Sequence, residues 1–180
     1  MNILAVLGSP RTNGNTEVIL NTFLKGVKDS NLSPQVKSVN VAKMNIKPCI
    51  ACEKCAPKGS RCVIQDDMQG LFNEILKADT IIIASPVYWW HVTAQMKIFI
   101  DRFYGLDYEL FENKNIIFLS THGGDIDDSG VKIAENSFKD MCKFLKMNFL
   151  YRYSVSSSKL AGPEKEVIFN EVYNLGKSLK

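Results

Sequence analysis

The sequence has no long block of lysine or arginine, no apolar run approaching the length of a membrane span, no internal repeat and no low-complexity tract. Each absence excludes something. The formal net charge of +3 comes from dispersed lysines, so nothing points to nucleic acid, and such weak basicity suits a mild attraction for anionic ligands. Without a stretch of about 20 apolar residues there is no candidate membrane helix, so no membrane partner is expected. The N-terminus lacks a basic region, an extended apolar region and a small-residue cleavage site, so no secretory signal is expected and the chain reads as cytoplasmic. Thiols stay reduced in that compartment. Five cysteines, four of them clustered, therefore argue for metal or redox chemistry over structural disulfides. A length of 180 residues, 46% hydrophobic and 23% charged, predicts a single domain over 1–180 with a real core.

What is present begins with Met1-Asn2-Ile3-Leu4-Ala5-Val6-Leu7, almost uninterrupted in apolar character, as a strand buried on both faces of a parallel sheet should be. From Glu17 to Val27 apolar residues recur at three and four, which predicts an amphipathic helix. Between the two lies Gly8-Ser9-Pro10-Arg11-Thr12-Asn13-Gly14-Asn15-Thr16, a loop of glycine, hydroxyls and amides. A strand, a polar turn and a helix start aim free N–H groups and the positive end of a helix dipole at one point, where an anion is stabilised. The natural ligand group is a phosphate, with Ser9, Arg11, Asn13, Asn15 and Thr16 as side-chain donors. Five residues separate Gly8 from Gly14, and Asn15 stands where a Walker A loop needs its lysine. The closely spaced glycines of a dinucleotide fingerprint are also missing. The plain alternative is an ordinary βα turn capped by Asn15 or Thr16.

Further on, Gln35 to Val41 alternates polar and apolar residues, as an edge strand does. Residues from about 44 to about 65 break all periodicity and carry four cysteines, an inserted functional loop. Asp66-Asp67 offers a helix N-cap ahead of Met68, Leu71, Phe72, Ile75 and Leu76. Thr80 to Ala84 is the most β-branched apolar run and predicts a central strand. A helix is expected from Thr93 to Phe103, a strand over Asn115–Ser120, a helix from Ser129 to Lys146, a strand over Phe149–Val155 and a last helix opened by Pro163. Strands alternating with helices predict an α/β fold, a five-stranded parallel sheet with helices on both faces. In the order 2-1-3-4-5 its switch point lies between strands one and three, where the polar loops after strands one, three and four gather.

Two of those loops suggest what sits there. Pro86-Val87-Tyr88-Trp89-Trp90 puts consecutive aromatics after a buried strand, a surface to be covered by a flat ligand such as an isoalloxazine ring or by a neighbouring subunit. Thr121-His122-Gly123-Gly124 lets backbone N–H groups approach a ligand's carbonyl edge. A lone loop histidine such as His122 is more often simply solvated. Cys49, Cys52, Cys55 and Cys62 are separated by two, two and six residues. That spacing can fold three thiolates around one face of a [4Fe–4S] cubane with the fourth arriving from a short loop. A tetrahedral zinc site and a set of unligated thiols remain open as alternatives. Cys142, on the apolar side of a helix, reads as a core residue.

Gly8-Ser9-Pro10-Arg11 with Gly14-Asn15-Thr16, Asp66-Asp67-Met68, Ala84 to Trp89, and Lys97 with Asp101-Arg102 resemble the NADPH-dependent FMN reductase family of the flavodoxin-like fold. The cysteine pattern is most similar to its iron-sulfur flavoprotein branch. The resemblance runs through Gly124 and thins after it. It implies a flavodoxin-like three-layer sandwich and bound FMN. The phosphate would lie on Ser9, Arg11, Asn13, Asn15 and Thr16, and the ring edge near Pro86, Val87, Tyr88 and Trp89 and near Thr121, His122, Gly123 and Gly124. It also implies homodimers or homotetramers. The expected activity is an FMN-dependent oxidoreductase, with NAD(P)H or a ferredoxin-like carrier as donor and a small molecule or protein as redox partner. On this resemblance FMN carries the chemistry, with no catalytic side chain, and a [4Fe–4S] cluster is the expected second cofactor. A cluster-free reductase of quinones, azo compounds or free flavin, and a flavodoxin-like electron carrier, are the competing readings.

Overall fold

The computed structural model describes residues 1–180. Its elements are β1 (Asn2–Leu7), α1 (Asn15–Lys28), β2 (Gln35–Asn40), α2 (Met68–Lys77), β3 (Thr80–Tyr88), β4 (His91–Val92), α3 (Ala94–Asp101), β5 (Asn115–His122), α4 (Val131–Phe144), β6 (Asn148–Ser156), α5 (Ser157–Ala161) and α6 (Lys165–Lys177). The five long strands are parallel in the order β2-β1-β3-β5-β6, the flavodoxin-like order expected.

Successive strand residues feed opposite layers, which explains why the central strands read as unbroken apolar runs. Leu4, Val6, Ile81, Ile83, Ile116 and Phe118 pack with Met68, Leu71, Met96, Phe99 and Phe138 from α2, α3 and α4. Ile3, Ala5, Ile82, Ala84, Ile117 and Leu119 pack with Ile19, Phe23, Ile168 and Val172 from α1 and α6. The result is a three-layer sandwich. At the edge, β2 is only half-buried, which accounts for its alternation.

The structure also departs from the expected boundaries. The ladder between β3 and β5 continues through Ser85–Ser120 and Pro86–Thr121, and β6 accompanies β5 as far as Ser156. Residues 85–88 are therefore strand, although serine and proline there read as a stop. After Tyr88 the chain reverses into β4, antiparallel to β3 with Val87 opposite Val92 and Tyr88 opposite His91. The two turn residues are Trp89 and Trp90, with φ of 48° and 63°. Such a turn ordinarily takes Asn-Gly, because positive φ costs a bulky side chain. Pro163 lies in the turn ahead of α6, and α5 was not anticipated.

On the α1 and α6 face, two glycines set the spacing. A Cβ on Gly26 would stand 1.9 Å from the Tyr173 carbonyl oxygen, and one on Gly176 would stand 2.1 Å from that of Phe23. The helices touch backbone to backbone. Gly176→Ala should force them apart at a cost of about 1–3 kcal/mol, seen as a lower urea midpoint at unchanged m-value. An unaltered midpoint would mean that α6 shifts freely.

Candidate functional site

At the carboxyl edge of the sheet, the loop after β1 is held from several sides. The Gly8 amide donates to the Ala84 carbonyl at 2.8 Å, and the Gly8 carbonyl accepts from the Thr93 hydroxyl at 2.6 Å. Thr93 also caps α3, accepting from the Met96 amide, while its own amide donates to the Ser85 hydroxyl. The Ser9 carbonyl accepts from the Asn40 side-chain amide at 3.2 Å, and the Ser9 hydroxyl accepts from the Arg11 amide at 3.3 Å. Asn13 turns the chain at φ 53° and donates its amide to the Glu17 carboxylate.

The residue that caps α1 is Gly14, with no side-chain hydrogen bond, in place of the Asn15 or Thr16 cap of the plain alternative. The first intrahelical bond runs from the Val18 amide to the Gly14 carbonyl. The amides of Asn15, Thr16 and Glu17 thus have no intrahelical acceptor and open at the positive end of the helix. Beside them, the buried hydroxyls of Thr16 and Thr121 share a hydrogen bond of 2.7 Å that joins α1 to β5.

A cavity of about 190 Å³ opens over these groups, lined by Ser9, Arg11, Gly14, Asn15, Thr16, Pro86, Val87, Tyr88, Thr121, His122, Gly123 and Ser157. Asn13, Trp89 and Gly124 stand outside this lining. Trp89 is 89% exposed and stacks on Trp90 with ring centroids 5.5 Å apart. His122 is buried, its Nδ1 3.3 Å from the Gly123 carbonyl oxygen, and not the solvated loop residue that is the commoner case. Sequence reasoning placed Gly14 in the phosphate loop without a role of its own and missed Ser157. The signal for Ser157 was the Ser156-Ser157-Ser158 run, which follows a strand just as the other polar loops do. Another cavity of about 240 Å³ lies at the opposite, amino edge between β1, β2 and the end of α2. No helix N-terminus faces it, so it lacks the anion-binding chemistry.

The cysteine loop is fastened at both ends to one buried ion pair. Arg102 and Asp66 have side chains 1% and 0% exposed, with Nη1 2.6 Å from Oδ2 and Nη2 3.2 Å from Oδ1. Asp66 also accepts from the amides of Lys47 and Met68, so both its oxygens are fully used. Burial opposes the charged carboxylate, but the Arg102 bonds and these amides outweigh it and hold the Asp66 carboxyl below its ordinary range. Arg102 Nη1 donates to the Lys47 carbonyl at 2.9 Å, and Nη2 donates to the Cys62 sulfur at 3.3 Å. Next door, Asp67 pairs with Asn45 through both backbone and carboxylate. The acidic pair expected only as a helix cap is the clamp on the loop.

Between the clamped ends, Cys49 and Cys52 are exposed, and Cys55 and Cys62 are half-buried. Ala51 and Glu53 adopt φ of 50° and 58°, curling the backbone on either side of Cys52. Cys49 and Cys55 open on a cavity of about 570 Å³ walled by Tyr104, Leu106 and Tyr108. Burial, the main cause, pushes the Cys55 thiol up. No three metal-ligating side chains are gathered at the spacing of a single bound ion. The four free thiols are nonetheless an all-sulfur donor set on one surface loop, two of them facing one cavity, which fits a cluster in number and chemistry. Lys97 and Asp101 form an exposed pair one helical turn apart, worth little. No helix is long and apolar enough to cross a membrane.

A model of the NADPH-dependent FMN reductase family matches residues 1–161. The chain belongs to this family. It is 42% identical over 102 residues to an iron-sulfur flavoprotein of Archaeoglobus fulgidus, a match over 57% of this chain and 45% of that one. It is 31% identical over 102 residues to a Bacillus subtilis protein described as a putative NAD(P)H-dependent FMN-containing oxidoreductase, covering 57% of this chain and 51% of the other. The matched segments thus span about half the length of these relatives. In fold, the chain superposes on an NAD(P)H:quinone oxidoreductase of Methanothermobacter marburgensis with a TM-score of 0.79 at 15% identity, covering 100% of this chain and 96% of that one.

Cys142, the fifth cysteine, is in the core as expected, and burial pushes its thiol up to about 11. Below that pH it stays protonated in the folded protein. In iron-free protein, alkylation with iodoacetamide at pH 8 should therefore label the loop cysteines and spare Cys142 until denaturant is added, as peptide mass mapping would show. Rapid labelling of Cys142 in the folded state would mean that α4 opens.

Proposed function

We propose that the chain is an FMN-dependent oxidoreductase that takes electrons from NAD(P)H or a reduced carrier and passes them to a small-molecule or protein acceptor. A [4Fe–4S] cluster on Cys49, Cys52, Cys55 and Cys62 would serve as a second redox centre. The observation that carries the flavin assignment is the start of α1, which has no side-chain cap and faces a cavity lined by hydroxyls and Arg11. A phosphate accepts from such a set without a metal ion. In this reading Ser9, Arg11, Asn15 and Thr16 hold the phosphate together with the free amides, and Asn13 shapes the turn. Pro86 to Tyr88 and Thr121 to Gly123 face the ring system.

When bound, FMN supplies the chemistry, accepting two electrons and releasing them singly, as an obligate one-electron cluster requires. The protein's own part is to bind, orient and exclude water; no side chain is needed as acid or base. Trp89 and Trp90, exposed on a strained turn beside the cavity, suit a cover over a flavin or a contact with a neighbouring subunit, in a homodimer or homotetramer. The cluster-free NAD(P)H-dependent reductase is the second reading, favoured by one observation: the Bacillus subtilis relative is named as an NAD(P)H-dependent FMN-containing oxidoreductase.

Ser9→Ala with Thr16→Ala should weaken FMN binding about a hundredfold, since each charge-assisted hydrogen bond contributes on the order of 1.5 kcal/mol. Fluorescence titration measures it, and unchanged affinity would move the phosphate elsewhere. For the cysteines, iron and sulfide near cluster stoichiometry are expected after anaerobic reconstitution, together with broad absorption beneath the flavin bands. Cys→Ser at 49, 52, 55 or 62 should remove that absorption while FMN stays bound. Flavin without iron would favour the cluster-free reductase. Turnover with NADPH and a quinone distinguishes an enzyme from an electron carrier.

A further inference from the structure

We propose that Arg102 is a positioning residue for Cys62: it holds that thiol as the fixed member of the four and favours the reduced form of the cluster they bind. The inference rests on the cluster reading above, and it starts from an asymmetry among the cysteines. Cys62 is the only one whose sulfur accepts a hydrogen bond from another residue's side chain, Arg102 Nη2 at 3.3 Å. Its carbonyl accepts from the Gln69 side chain at 2.9 Å. Its Cβ is packed from a third side by Gly105, where an added Cβ would stand 3.1 Å from Cys62 and 2.5 Å from the Phe72 ring. Cys49 and Cys52 have none of these restraints and are exposed.

Arg102 cannot easily turn away from this sulfur. Its guanidinium is forked on Asp66 and also bonded to the Lys47 carbonyl, so the direction of Nη2 is set by groups other than the cysteine. The positive charge is already balanced by Asp66, which leaves the N–H···S hydrogen bond as the main effect on the ligand. Reduction places one more negative charge on a cluster and its sulfurs, and a buried donor stabilises the more negative state. Hydrogen bonds to the sulfurs therefore raise a cluster's reduction potential, and a partner fixed behind a ligand sets both its orientation and its affinity. Lys47 and Cys62 flank the other three cysteines, so one guanidinium fixes both ends of the segment that must close around the cluster.

Two variants and two measurements test this. Arg102→Lys keeps a cation for Asp66 but loses the fork, and Arg102→Met with Asp66→Asn removes both charges. After anaerobic reconstitution, titration with dithionite should give a lower midpoint potential than wild type in both, or loss of iron with FMN retained. An unchanged potential at full iron content in both variants would overturn the proposal. The second measurement needs no cluster: in iron-free protein, Cys62→Ala should shift the Arg102 guanidinium resonances in nitrogen-detected NMR, whereas Cys52→Ala should not. If Cys62→Ala leaves them in place, the contact does not exist and the proposal falls. Should the wild type take up no iron, it is the cluster reading that fails; the guanidinium resonances still report whether Arg102 holds Cys62.

Discussion

The Asp66–Arg102 pair is the constraint on which the functional half of the molecule depends. Two charges lie essentially out of solvent, a costly arrangement unless every lone pair and donor is used. Asp66 meets that condition and Arg102 nearly does, with Nε alone left without a partner. What the pair secures is the path of an irregular segment. It ties residue 47 on the way out and residue 62 on the way back to the start of α2 and the end of α3, so a loop without secondary structure of its own leaves and rejoins the fold at defined points. Replacing the pair by apolar residues would cost little in burial. It would remove the fixed points, and that accounts for an ion pair at this position better than stability does.

The short helix α3 connects this clamp to the cavity over the start of α1. At its start, the Thr93 hydroxyl holds the Gly8 carbonyl and so sets where the loop after β1 turns. Just past its end, Arg102 holds the cysteine loop. Met96 and Phe99 bury its inner face in the core, so the two anchorages are fixed relative to one another by a packed helix and not by flexible chain. On the proposed reading, two redox groups placed by the same rigid element would keep a constant separation.

Much of this was legible in the sequence because it follows from burial. β1 and β3 are covered on both faces and read as apolar runs; β2 is covered on one and alternates; right-handed crossovers put helices on both faces of the sheet, and the strand order is that of the flavodoxin-like fold the motifs resemble. The polar loops at the carboxyl edge were visible as hydroxyl and glycine runs after strands. Hidden were features set by tertiary pairing. Ser85 and Pro86 look like a strand end, yet β5 continues the ladder alongside them. Trp89 and Trp90 occupy a turn that local preference would refuse, held by the β3–β4 hairpin. Asp66 looks like a capping residue, and only the fold brings Arg102, 36 positions later, against it.

The same division places the cysteine loop on a frame that does not depend on it. Between Met44 and Ile64 only Met44, Ile46 and Cys62 pack against the core, and none of the three is fully buried. The remaining cysteines belong to a turn whose backbone is already curled by left-handed residues at Ala51 and Glu53. In a small metal-dependent domain the ligands stand where the core would be, so loss of the metal unfolds the chain. Here the sheet and its two helical layers are complete without the loop. Ligand binding at the four thiols would then order a surface segment against a finished scaffold, adding to the stability of a domain that does not need it to fold.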